Sequence, residues 1–110
     1  MTRGLQVRTR PSQERIVLAP EELGLDSRTQ FRSDAFARLE GIPKGGGRLV
    51  IDVSSTKSVD STGLGALIMV QRRAAQRRIP VSLRGADEEL RFLLSLTKLE
   101  GLFELEPVEE

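Results

Sequence analysis

Leu49-Val50-Ile51-Asp52-Val53 constrains the fold more than any other stretch. It is short, mostly apolar and rich in β-branched residues. A strand with one wet face would alternate with polar residues, and this one does not. The pattern predicts a central strand covered on both faces. The flanking sequence supplies the cover. Asp26 or Ser27 is positioned to cap a helix running to about Leu39, with Phe31, Ala35 and Leu39 on one face and Gly41 as its stop. A second helix is expected from Ser61 to about Arg78, with Leu64, Leu67, Ile68, Gln71 and Ala75 at helical spacing. Asp87 would cap a third, burying Leu90, Leu93, Leu94 and Thr97. Further strands are expected at Gln6–Arg10, Arg15–Leu18, Val81–Leu83 (opened by Pro80) and Leu102–Leu105. Two strands followed by helix-strand repeats give an α/β fold built from parallel crossovers. A turn at Pro11-Ser12-Gln13 would make the first two strands an antiparallel edge hairpin. The expected sheet is therefore mixed and mostly parallel, with α-helices packed against it.

The length of 110 residues suits one domain over 1–110, with a core of about 6–105 and an acidic tail at 106–110. Hydrophobic residues are 38% and charged residues 30%, an ordinary globular balance. The chain has no cysteine and no histidine. Thiolate metal sites, cysteine nucleophiles and imidazole bases are excluded. The expectation is a chain that is not an enzyme, with no catalytic residue, metal or cofactor. Net charge is +1, so no global field favours nucleic acid. Four phenylalanines without Tyr or Trp give little platform for base stacking. No apolar run is long enough for membrane insertion. Met1–Arg10 lacks the apolar core of a secretory signal, so a cytoplasmic location is expected.

The loop after the central strand ends in Asp60-Ser61-Thr62-Gly63, at the start of the second helix. The first backbone N–H groups of a helix have no internal partners, and the helix dipole favours an anion there. A phosphate on Ser61 would sit in that field. Gly63 and Gly65 would leave the backbone open to a protein partner. Asp60, Ser61 and Thr62 are equally common helix caps, so capping stands beside regulation as a reading.

Leu49–Val53, then Val59-Asp60-Ser61-Thr62-Gly63-Leu64-Gly65-Ala66-Leu67, resembles the STAS domain of bacterial anti-sigma-factor antagonists. Ile79–Leu83 and Leu96–Phe103 resemble that family's later strand and last turn. The order of elements is similar from about Gln6 to Leu105. The resemblance implies that Ser61 is the phosphorylation site, with Thr62 as a second candidate. It implies partner binding through Asp26, Asp60, Ser61, Thr62, Gly63 and Leu64. The implied partners are a serine kinase that doubles as an anti-sigma factor and a serine phosphatase that resets the switch. The sequence departs from the family pattern at Gly24-Leu25-Asp26, shorter by one residue, and at the added Ala19–Leu23. The alternative is a STAS regulatory or structural subunit of a transporter or stress-sensing assembly that does not use Ser61 as a phosphosite.

Other constellations give way to simpler readings. Asp52 and Asp60 as a metal pair offer too few oxygen ligands; Asp52 reads as a strand-end residue meeting loop N–H groups. Asp26, Asp52 and Asp60 would form an acid–base site only if a cleft gathered them. Gly45-Gly46-Gly47 lacks the spacing of a phosphate loop and reads as a connection. Arg72, Arg73, Arg77 and Arg78 suit a helix C-terminus, or alternatively an anionic partner.

Overall fold

The structure, a computed structural model, describes residues 14–107. Its main sheet has four strands in the order β1 (Glu14–Leu18), β3 (Arg48–Asp52), β5 (Val81–Arg84) and β6 (Glu104–Leu105). All three pairings are parallel. The crossovers are α1 (Arg28–Glu40), α2 (Ser61–Gln76) and α3 (Glu88–Leu96). The antiparallel edge expected of Gln6–Arg10 lies outside the described residues. Two further short strands, β2 (Glu22–Leu23) and β4 (Ser58–Val59), pair in parallel as a separate two-stranded sheet.

The central run behaves as its composition requires. Leu49 and Ile51 face the helices and join Val17, Val81 and Leu83 in the core. Val50, on the opposite face by the alternation of strand side chains, is also fully buried, as is Ser82 beside it. Charged residues span that second face. Arg48 pairs with Glu104 at 3.4 Å, and Arg84 bonds Glu106 at 2.8 Å. Ser82 Oγ donates to Glu104 Oε1.

α1 buries Phe31, Ala35 and Leu39, as the sequence pattern predicts. α2 buries Gly63, Ala66, Leu67, Val70 and Ala74. Its stripe is turned from the expected one: Ala75 is exposed, while Leu64, Ile68 and Gln71 are half-buried. The reason is that α2 packs on α1 as well as over the core. Arg73 lies 4.8 Å over the Phe36 ring and 3.7 Å from Glu40, and Arg32 donates to Met69 Sδ. The two helices thus run side by side in the same direction.

Asp87 caps α3 as expected, accepting from Leu90 N at 2.8 Å. Leu90 and Leu94 are buried, but Thr97 is exposed at the helix end, where its hydroxyl donates to the Leu93 carbonyl. The last strand is shorter than expected because Glu100–Leu102 forms a 3₁₀ turn. The triple glycine is a turn, with Gly45 at φ +70°. The capping of α1 differs in kind. Ser27 fills the cap position but makes no cap hydrogen bond; its Oγ accepts from Gly24 N and donates to the Glu22 carbonyl.

Candidate functional site

Ser61 stands at the carboxyl edge of the parallel sheet, where open α/β sheets present their loops. β3 delivers the chain there. Asp52 closes the strand by accepting from Ser54 N (2.9 Å) and Ser54 Oγ (2.6 Å). These bonds, the hydroxyl first, hold the Asp52 carboxyl below the ordinary carboxylate range. The loop then turns at Thr56, whose buried Oγ1 donates to the Pro20 carbonyl. Lys57 N donates to Glu21 O at 2.7 Å, and Asp60 N to Leu23 O at 3.2 Å. The Ala19–Leu23 excursion therefore builds β2, which clamps the segment leading into α2.

Two glycines make the clamp possible. A Cβ on Gly63 would overlap the Leu23 carbonyl, and one on Gly24 would lie 2.5 Å from Asp60 Oδ2. Gly63 is thus glycine for internal packing, and its backbone is buried. Gly65 is the open one: a Cβ there would meet nothing within 4 Å.

Asp60 is the N-cap of α2. Its Oδ1 accepts from Gly63 N at 2.9 Å and from Thr62 Oγ1 at 2.6 Å. The Thr62 hydroxyl, then the Gly63 N–H, hold this carboxyl below its ordinary range. The cap network leaves Ser61 out. Ser61 is exposed, and among the described residues its hydroxyl has no hydrogen-bond partner. The two hydroxyls therefore differ: Thr62 is half-buried and committed to Asp60, Ser61 is free.

Asp26 and Asp60 line one recess of about 410 Å³, with Leu25 (64% exposed) at its lip. Ser61 follows Asp60 directly in the chain, but it is not among the residues that line the recess. Leu64 is half-buried against the core. Asp52 does not line the recess, so the three aspartates do not converge in one cleft. Among the described residues no group of three or more potential ligands could hold a metal ion. Sequence reasoning missed the roles of Gly24 and Leu23, which act through backbone approach, and of Thr56, whose hydroxyl reaches the Pro20 carbonyl. The nearest signal was the Gly24-Leu25-Asp26 triplet.

The helical arginines are partly employed. Arg77 Nη2 donates to the Ile42 carbonyl and Arg73 packs on Phe36, while Arg72 and Arg78 are exposed. No described helix is long and apolar enough to cross a membrane.

Comparison with known proteins matches this architecture. The family model described as "Mlab, STAS domain" covers residues 5–106. A STAS-domain containing protein of Pseudomonas aeruginosa (strain UCBPP-PA14) is 29% identical over 72 residues, 66% of this chain and 68% of that one. The solution structure of the protein TM1081 superposes with a TM-score of 0.71 at 21% identity, covering 87% of this chain and 75% of that one. A crystal structure of the Thermotoga maritima protein, a candidate anti-sigma factor antagonist, gives 0.70 at 22% identity, covering 84% and 80%. At these identities the structural likeness establishes the fold.

Proposed function

The chain belongs to the STAS domain family, and from that premise we propose that it is an anti-sigma-factor antagonist, switched by phosphorylation of Ser61. In this reading the unphosphorylated domain binds a serine kinase that doubles as an anti-sigma factor. The kinase phosphorylates Ser61 and the complex separates; a serine phosphatase restores the binding form. The function is binding, and the chain itself catalyses nothing.

One observation carries the reading. The Ser61 hydroxyl is exposed and free at a helix start whose cap is already complete without it. Phosphate can therefore be added without breaking a native hydrogen bond. The helix dipole would stabilise the modified residue in place. Phosphate brings roughly −1.5 to −2 charges at neutral pH. It would stand beside the ionised Asp60, whose neighbouring recess Asp26 also lines. A partner surface docked there would meet a concentrated negative field that it did not meet before.

The test is capture from the native cell extract with tagged wild type and Ser61→Asp. The expected result is an ATP-binding serine kinase recovered by wild type and lost with Ser61→Asp. Equal recovery by both would overturn the switch. A second reading is a structural STAS subunit of a transporter or stress-sensing assembly, supported by the exposed Arg72 and Arg78 at the end of α2. Recovery of a transporter ATPase or a multi-copy scaffold with both forms would favour it.

A further inference from the structure

α3 carries more apolar surface than the core uses. Leu90 and Leu94 are buried beneath it. Glu89, Phe92, Leu93 and Leu96 fall at i, i+3, i+4 and i+7, so they form a second stripe on another face. Phe92 and Leu96 are each 66% exposed. This stripe forms one wall of a groove of about 330 Å³, and Val53 and Val59 belong to the opposite wall. An amphipathic surface helix normally keeps such residues on its core face only.

The groove's charges are lopsided. Asp87 and Glu89 lie on the α3 side, and among the described residues Glu89 has no ion pair. The one cation in the lining, Lys57, is 3.4 Å from Glu21. An anionic head group would therefore meet two carboxylates and a lysine that already has a partner. Small ligands are held in sites that enclose most of their surface. A wall whose main apolar residues are two-thirds exposed does not enclose one; it suits a partner that brings its own apolar face.

We propose that the α3–β4 groove docks an amphipathic helix of a protein partner, its apolar face against Phe92, Leu93 and Leu96 and a basic residue beside Glu89 and Asp87. This is helix-in-groove recognition, with anchors at i, i+3 or i+4 and i+7. The inference rests on the reading that the chain acts by binding a protein, and it adds a contact that does not involve Ser61. Ser58 and Val59 border both this groove and the recess beside Asp60. One partner can therefore span the two.

The probe is a synthetic Leu/Lys amphipathic peptide of about five helical turns, titrated into the isotope-labelled full chain and followed by amide chemical shifts. A Leu/Glu peptide of the same pattern and free oleate are run in parallel. The expected result is shifts centred on Val59 and Leu90–Leu96 with the Leu/Lys peptide, and binding by the Leu/Glu peptide weaker by about tenfold or more. Phe92→Ala with Leu96→Ala should abolish the shifts. Both positions are exposed, so the fold should persist and unperturbed core resonances confirm it. Glu89→Lys should remove the preference for the basic peptide. Shifts elsewhere on the surface, equal binding of the Leu/Glu peptide, or oleate occupying the groove where the Leu/Lys peptide does not would overturn the proposal. Ser61→Asp should leave peptide binding unchanged. Groove binding without kinase capture would retain this inference and remove the switch, and the converse would do the reverse.

Discussion

The described residues form two parallel sheets held by different physics. The four-stranded sheet is built from side chains: Val17, Ile51 and Leu83 align across it and are buried under the helices. The two-stranded β2–β4 sheet is built from backbone. It holds through Asp60 N to Leu23 O, Lys57 N to Glu21 O, and the close approaches at Gly24 and Gly63. The first sheet makes the fold and the second places Ser61. The fold should therefore tolerate hydrophobic substitution of similar volume, whereas the site also depends on close backbone approaches at Gly24 and Gly63 that leave no room for a side chain.

Substitutions can separate the two. The largest effect is expected in the main sheet: Ile51→Ala, at a fully buried position, should cost about 2–5 kcal/mol in urea unfolding. Gly63→Ala should cost about 1–3 kcal/mol, because the Leu23 carbonyl must move. Beyond that loss, it should broaden the amide signals of β2 and of residues 58–62 while leaving β1 and β5 unshifted. If β1 and β5 shift as much, the sheets are one cooperative unit and the contrast fails. Asp60→Ala should cost about 1 kcal/mol through loss of the cap. Gly65→Ala, two residues after Gly63, should do the opposite and stabilise by about 0.5–1 kcal/mol, since its Cβ enters open space in a helix.

The smallest effect concerns pH. Asp52 and Asp60 both have carboxyls held below the ordinary range by hydrogen bonds from Ser54 and from Thr62 with Gly63. A depressed folded pKa adds stability that is present above the unfolded value, about 3.9, and lost as pH falls through the folded one. Stability should therefore drop below about pH 4. Asp60→Asn, which keeps a capping oxygen but never ionises, should blunt that drop by giving up, at neutral pH, the small stability that the ionised carboxylate adds. Unfolding at pH 7 and at pH 3 compares the two.

These contrasts also explain what could be read from the sequence. Leu49–Val53 announces itself because burial on both faces leaves a compositional mark. Phe31, Ala35 and Leu39 do so because helical spacing does. Asp87 is legible as a cap, since its chemistry is local. β2 is not legible: two residues carry no periodicity, and its bonds run to a segment more than thirty positions away (Asp60 N to Leu23 O). The α2 stripe is misread by about one position because α2 also meets α1, through Arg73 with Phe36 and Met69 with Arg32, and a neighbouring helix leaves no period of its own. Ser27 looks like a helix cap, yet its hydroxyl serves Gly24 and Glu22 instead. The second apolar stripe of α3 is visible as Phe92 and Leu96, but only the groove gives it meaning.

On the proposed reading Ser61, exposed at this helix start, takes phosphate, while its neighbour Thr62 is held by Asp60. The most direct measurement is site-resolved phosphopeptide mass spectrometry on the wild-type protein isolated from its own cells. The expected result is phosphate on Ser61, with Thr62 unmodified. Phosphate on Thr62 alone, or an unmodified Asp60–Gly63 segment under every growth condition, would contradict it and return Ser61 to the ordinary polar surface of a helix start.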